Sequence, residues 1–206
     1  MSVITISRQF GAGGLSLGKQ LSKILGYTFV DQEIINQVAE KAKVSKDWVQ
    51  AIEKEAGVKL HQFISRLIPR GLMDRILDEQ RGYIDEEIYI HLLEEIIRQM
   101  ADQDNCIILG RGGQYILKGH PGTIHVLLIA DKADRVRFME THYKLDPQKA
   151  LQVVNAEDKR RTNLYRKFEK SDYDLPDHYH LTLNMSKMSL EVAAKIISGM
   201  AAGPKR

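Results

Sequence analysis

The sequence predicts a three-layer α/β/α domain built around a five-stranded parallel sheet. Three observations lead there. Short apolar runs recur along the chain, separated by longer stretches with helical periodicity, which is how buried parallel strands read when helices cover both faces. A glycine-rich turn, Gly11-Ala12-Gly13-Gly14, stands between the first run and the first helical pattern. Ser7, Asp31, Gly110 and Arg111 all fall at the C-terminal ends of predicted strands, where open parallel sheets bind their ligands.

Val3-Ile4-Thr5-Ile6 is the first predicted strand, and a loop from Ser7 to Gly14 follows. Leu15, Leu17, Leu21, Ile24 and Leu25 then keep helical spacing, with Gly26 as the stop. Tyr27 to Val30 reads as the second strand, ending at Asp31. From Asp31 to about Gln103 the pattern is almost wholly helical. Ile34, Ile35, Val38 and Ala42 mark one helix; Ser45 to Trp48 caps another, with Trp48 as an anchor. The stretch from Leu60 to Ile84 has no readable boundaries, whereas Glu86 to Met100 is strongly amphipathic with Ile88, Leu92, Leu93, Ile96 and Ile97 inside. Cys106 to Leu109 and Thr123 to Ala130 are the third and fourth strands, and Asp131 to about Tyr143 is a helix. Lys144 to Lys170 is polar and reads as helix, loop, helix. His180 to Asn184 is the fifth strand, and Ser189 to Met200 is the closing helix before a frayed tail.

The chain has 206 residues, which suits one domain with an insertion. Its net charge of +3 is too small to argue for nucleic acid, while a modest cationic surplus suits a binder of phosphates. The single cysteine, Cys106, excludes an intrachain disulfide and reads as core packing, in keeping with a cytoplasmic location. No apolar stretch approaches the ~20 residues that span a bilayer, and no signal peptide is expected. His178 and His180 have a metal-compatible spacing without a third ligand. They read as an exposed residue and a strand start, and His120, His125 and His142 as surface or strand-end residues.

The turn carries the chemistry. A phosphate needs backbone amides pointing inward with a helix N-terminus behind them, and glycines let the backbone approach closely. Gly11, Ala12, Gly13, Gly14, Leu15 and Ser16 meet both needs as a P-loop-type cradle. Two rival patterns overlap it. Gly11-x-Gly13-x-x-Ser16 with Asp31 imitates a dinucleotide fingerprint, but Ser7 to Phe10 intervene between strand and first glycine, and the last glycine is a serine. Gly13-x-x-x-x-Gly18-Lys19 imitates a phosphate loop. It ends in Gln20, however, and its lysine falls a turn inside the helix, facing solvent.

These residues resemble a known family. Ile4 to Gly14, Leu25-Gly26-Tyr27, Asp31, Gly110-Arg111, Asp158 to Arg161 and Tyr179 to Asn184 are together similar to the cytidylate kinase-like proteins, P-loop relatives of the nucleoside monophosphate kinases. The resemblance implies a P-loop NTPase-type core (1–31, 104–143 and 178–200), a helical substrate-binding insert over about 32–103 and a lid over about 144–177. It implies transfer of the γ-phosphoryl group from ATP to a nucleoside monophosphate such as CMP, with Mg²⁺, in a monomer or homodimer with no nucleic-acid or membrane partner. Gly11 to Ser16 would hold the donor phosphates, with the Ser16 hydroxyl near the metal and Arg135 near the donor nucleotide. Asp31 and Arg111 would bind the acceptor. Asp158 and Arg161 match lid residues, the arginine reaching the transferring phosphate. Lys159, Arg160, Arg166 and Lys167 would close with it.

The departures are specific. The family loop carries lysine where this chain has Gly14, and glycine where it has Arg8. Arg8 or a lid arginine is the candidate to replace that charge. Acids flanking the Gly-Arg pair are replaced by Leu109 and Gly112, leaving Asp31 as the nearest acid for a metal. Two further functions stay open at this point: a nucleotide-binding sensor that has lost the chemistry, and a kinase of a non-nucleotide small molecule.

Overall fold

The computed structural model describes residues 2–31, 86–103, 105–168 and 174–203. The predicted helices between Ile34 and Ala56, the stretch up to Ile84, and Trp48 lie outside the described residues.

Strands β1 (Val3–Arg8), β2 (Thr28–Val30), β3 (Cys106–Leu109), β4 (Thr123–Ile129) and β5 (Leu181–Asn184) form one sheet in the order β2-β3-β1-β4-β5. Every pairing is parallel. The helices are α1 (Gly14–Leu25), α2 (Glu86–Asp102), α3 (Gly113–Ile116), α4 (Lys132–Tyr143), α5 (Pro147–Phe168) and α6 (Leu190–Ala202). The predicted α/β/α sheet is present with all five strands.

Alternation along the strands builds the layers. Ile4 and Ile6 of β1, Ile107 and Leu109 of β3 and Val126 and Leu128 of β4 face one side. There they pack on Leu17 and Leu21 of α1 and Ala193, Ala194 and Ile197 of α6. The opposite face turns Thr5 and Ser7 inward. A Cβ on Gly113, at the head of α3, would lie 3.2 Å from Thr5 Cγ2. Leu93, Ile96, Ile97 and Met100 of α2 are buried as the amphipathic pattern requires, and so is Cys106.

Helix α1 begins after Gly13 and ends at Gly26, both left-handed; the Gly26 amide closes on Ser22 O at 2.9 Å, as the sequence pattern predicts. The Gly18-Lys19 pair has a packing explanation. A Cβ on Gly18 would collide with the Phe29 ring of β2, and Lys19 is exposed.

Three expectations need correction. First, β1 runs on to Arg8, because β4 is long enough to pair with it through Arg8↔Leu128. The loop therefore starts at Gln9, and Arg8 is a strand residue. Second, residues 147–168 form one helix of 22 residues, not helix, loop, helix. Asp146 Oδ1 accepts from the Lys149 amide at 2.9 Å, Pro147 opens the first turn, and Ala150, Val154 and Tyr165 are fully buried along its inner side. A polar exterior hid that narrow apolar face. Third, two histidines lie deeper than expected. His178 is half-buried, its ring 5.1 Å from that of Tyr115. His125 is only 6% exposed, and its Nδ1 is 2.7 Å from Thr5 Oγ1 across β1 and β4.

Burial, followed by the neighbouring His180, lowers the His125 pKa from 6.5 to about 4. The unfolded chain takes up this proton near pH 6.5 and the native state only near 4. Stability therefore falls as pH drops through that window, by about 3 kcal/mol for the full shift. Urea denaturation at pH 7 and pH 4.5 should show the loss, and His125→Gln should flatten it.

Candidate functional site

The glycine-rich loop leaves β1 at the C-terminal edge of the sheet. Gly11 (φ 85°) and Gly13 (φ 83°) take left-handed conformations that turn the chain tightly into α1. The Ala12 amide bonds Gln9 O at 3.1 Å and the Leu17 amide bonds Gly13 O at 3.0 Å. Between them, among the described residues, the amides of Gly13, Gly14, Leu15 and Ser16 have no backbone acceptor, and the N-cap residue Gly13 offers no side-chain cap. Unused donors and the positive end of a helix thus meet at one point, which is what an anion requires. Ala12 is buried beneath the loop, Leu15 is exposed, and Ser16 is half-buried in the first turn.

Arg135 and Asp158 hold this loop from behind. Asp158 Oδ1 accepts from the Phe10 amide at 2.9 Å, and its Oδ2 pairs with Arg135 Nη1 at 2.6 Å. The same Nη1 donates to Phe10 O at 3.1 Å, and Arg135 Nε donates to Ala130 O at 3.2 Å. Gln9 Oε1 accepts from the Ala130 amide at 3.0 Å. A Cβ on Gly11 would lie 2.9 Å from Arg135 O, so Gly11 is required by contact as well as by φ. The guanidinium of Arg135 is directed at loop backbone and carboxylate.

Three arginines gather in front of the loop. The Arg8 stem runs past Gly14 and its guanidinium reaches Gly110. Gly110, Arg111 and Gly112 are three successive left-handed residues (φ 77°, 57° and 73°), a turn that places Arg111 beyond β3. Burial lowers the Arg8 pKa, and the positive charges of Arg161 and Arg111 act in the same direction, against an opposing contribution from Tyr165. Arg161 projects inward from α5 over the Tyr165 ring, 5.3 Å from its centroid, with Nη1 2.5 Å from Asp174 Oδ2. Burial is the largest single influence and opposes its charge, but Asp174, with Tyr165 and Asp158, acts the other way and the pKa is raised. Lys159, Arg160 and Arg166 of the same helix are exposed, and Arg160 pairs with Glu157 at 3.3 Å. Of the described members of that cationic run, only Arg161 turns inward.

Sequence reasoning missed the hydroxyl network behind Arg161. Ser7 Oγ is 2.7 Å from Tyr165 Oη, where both are buried. Tyr179 Oη donates to Asp174 Oδ1 at 2.8 Å and accepts from Gln114 Nε2 at 3.1 Å. The Asp174 amide donates to Tyr115 Oη at 3.4 Å, and the Tyr115 ring stacks on Phe168 at 6.1 Å. Gly112 makes room, since its Cβ would lie 2.5 Å from Phe168 Cε2. Burial raises the Tyr115 and Tyr179 pKa values, which keeps both phenols protonated. The sequence offered only scattered tyrosines as a signal.

Asp31 follows β2, and the Val30↔Ile108 register sets it level with Leu109 at the same sheet edge. Among the described residues no three His, Cys, Asp or Glu side chains cluster as a metal site. Ser16 Oγ and the Asp31 carboxylate are oxygen donors of the kind a hard divalent ion takes beside phosphate and water.

Sheet order, cradle and arginine cluster define a P-loop protein of kinase-like fold. The profile of the cytidylate kinase-like family matches residues 3–187, and the chain belongs to that family. Among solved structures it is similar to an uncharacterized protein from Eubacterium ventriosum ATCC 27560, at 20% identity, TM-score 0.69 and 97% coverage of each chain. It is also similar in fold to shikimate kinase from Bacteroides thetaiotaomicron, at 12% identity, TM-score 0.51 and 97% coverage of each chain. A search of curated proteins finds no match. Among the described residues no helix is long and apolar enough to cross a membrane.

Asp158→Ala should leave the buried charge of Arg135 without its carboxylate partner. The expected loss is about 3 kcal/mol or more of folding stability, read by chemical denaturation. ATP binding should weaken with it, because the Phe10 amide loses its acceptor.

Proposed function

We propose that this protein is an ATP-dependent kinase that transfers the γ-phosphoryl group to a nucleoside monophosphate such as CMP. The observation that carries this reading is the convergence of Arg8, Arg111 and Arg161 in front of a cradle of unused amides. A site that only bound nucleotide would need the cradle. Guanidinium groups arriving from β1, the β3 turn and α5 suit the charge that develops on a phosphoryl group between two oxygens.

In this reading Gly11 to Ser16 hold the β- and γ-phosphates of ATP, and Arg135 and Asp158 fix the loop that does so. Arg111 and Asp31 bind the acceptor beyond β3 and β2. An oxygen of the acceptor phosphate forms the new bond to the γ-phosphorus as the bond to the β,γ-bridging oxygen breaks, and ADP leaves with that electron pair. Arg161 follows the phosphoryl group across. Mg²⁺, held by Ser16 and Asp31 together with phosphate oxygens, would supply charge neutralisation.

The bare Gly14 favours a second reading, a nucleotide-binding sensor without phosphoryl transfer. An ADP-release assay with ATP, Mg²⁺ and a panel of monophosphates, run beside ATP-binding calorimetry, separates the two. Turnover with CMP or another monophosphate is expected. ATP binding with no turnover across the panel would leave the sensor. Arg161→Ala should lower kcat by roughly 100-fold while changing ATP affinity far less, since its work lies in the transition state.

A further inference from the structure

Gly14 differs from the other cradle glycines. A Cβ there would lie 3.0 Å from Arg8 Cγ, 3.3 Å from Arg8 Cδ and 3.1 Å from Leu109 Cδ1. At Gly13 the nearest atom, Leu190 Cδ1, is 3.8 Å away. The space a side chain at position 14 would enter is therefore crowded by the methylenes of Arg8, which would have to give way. The backbone of Arg8 cannot yield, because it is the last residue of β1 and is paired to β4 through Arg8↔Leu128. Beyond Gly14 the stem continues until the guanidinium lies against Gly110, where the left-handed turn leaves no Cβ to block it. No carboxylate among the described residues forms an ion pair with it. The group sits between the amide cradle on one side and the Arg111 turn on the other.

We propose that Arg8, crossing the bare Gly14 from the end of β1, is the cation that neutralises the donor phosphates, and that Gly14 must lack a side chain for Arg8 to reach them. The proposal rests on the kinase reading for turnover, and on the cradle alone for binding. Burial and the like charges of Arg161 and Arg111 disfavour the charged guanidinium. A polyphosphate relieves both, because it brings negative charge to a group already held in place. The planar fork can bond two phosphate oxygens in a fixed bidentate geometry, whereas an ammonium is a point charge with rotatable donors. Its stem passes close by Gly14 and its guanidinium close by Gly110, so little rotamer freedom remains to be lost on binding.

The experiment measures the affinity of ATP and of inorganic tripolyphosphate by calorimetry, with thermal melts to establish folding, for five proteins. These are the wild type, Arg8→Gly, Arg8→Met, Gly14→Lys and the double variant Arg8→Gly/Gly14→Lys. Arg8→Met keeps the stem and removes the charge, so it reports the charge even where Arg8→Gly folds poorly. Both Arg8 variants should bind either ligand at least ~10-fold more weakly, the worth of a charge-assisted contact. Gly14→Lys alone should also weaken binding, because its stem displaces Arg8. The double variant should recover most of the affinity, a coupling opposite in sign to the single effects.

A folded Arg8→Met that binds both ligands like the wild type overturns the proposal. So does a double variant as weak as the product of its singles. If the wild type binds both ligands but turns over no acceptor, the kinase reading falls while the affinities still decide for or against Arg8. If the wild type binds neither, both fall.

Discussion

The pair between Arg135 and Asp158 is the interaction on which the rest of the site depends. It links α4 to α5, and it closes on Phe10 from both sides, accepting its amide and donating to its carbonyl. A loop with left-handed glycines has many conformations, and only one of them aims four amides at a common point. The ion pair selects that one by satisfying the loop's outward-facing backbone groups. Pairs of this kind are costly to assemble, because both ions must leave water. Here the carboxylate oxygens and guanidinium nitrogens are shared with backbone, so few of their hydrogen-bonding sites are wasted. The resulting contribution is more to uniqueness than to stability.

The same helix that carries Asp158 carries Arg161 one turn further on and Tyr165 one turn beyond that. Residues three and four apart share a helix face, so one face of α5 serves the loop, the pair with Asp174 and the buried core in succession. Asp158 meets Phe10, Arg161 meets Asp174, and Tyr165 meets Ser7 of β1. Anchoring at both ends leaves the intervening Arg161 little choice of direction. Asp174 is in turn held by Tyr179 and Tyr115, whose phenols stay protonated and can only donate or accept as neutral groups. The arginine is thus fixed by a carboxylate that is itself fixed.

Local signals made the sheet legible. Five apolar runs, Gly26 as a helix stop and the glycines ahead of Leu15 each encode structure within a few residues. The same applies to the cradle, since a left-handed turn into a helix is a local demand. What escaped was set by long-range partners. Arg8 reads as a loop residue until β4 is seen to extend far enough to pair with it. Residues 147–168 read as broken because their buried positions are few and widely spaced among charges. Asp174, Tyr179 and Tyr115 carry no pattern at all, because their roles exist only once three separate segments meet. His125 reads as a surface or strand-end residue, and its burial is explained by the Thr5 hydroxyl opposite and the Leu117 backbone, which lie far off in sequence or outside any pattern.

The cation arrangement follows from this division. A charge presented from the first turn of α1 would sit on a long, freely rotating stem at the edge of the cradle. A charge presented from the end of β1 begins inside the sheet, at a residue whose backbone is hydrogen-bonded and whose side chain runs past Gly14 to Gly110. Both of those neighbours are glycines. The positions of Gly14 and Gly110 are therefore best understood through Arg8: one glycine shapes the cradle's helix start, the other the turn after β3, and both leave a path for the same guanidinium. Under the proposed kinase reading, a single strand residue then joins the donor side of the site to the acceptor side, where positive charge would act on a phosphoryl group as it passes between them.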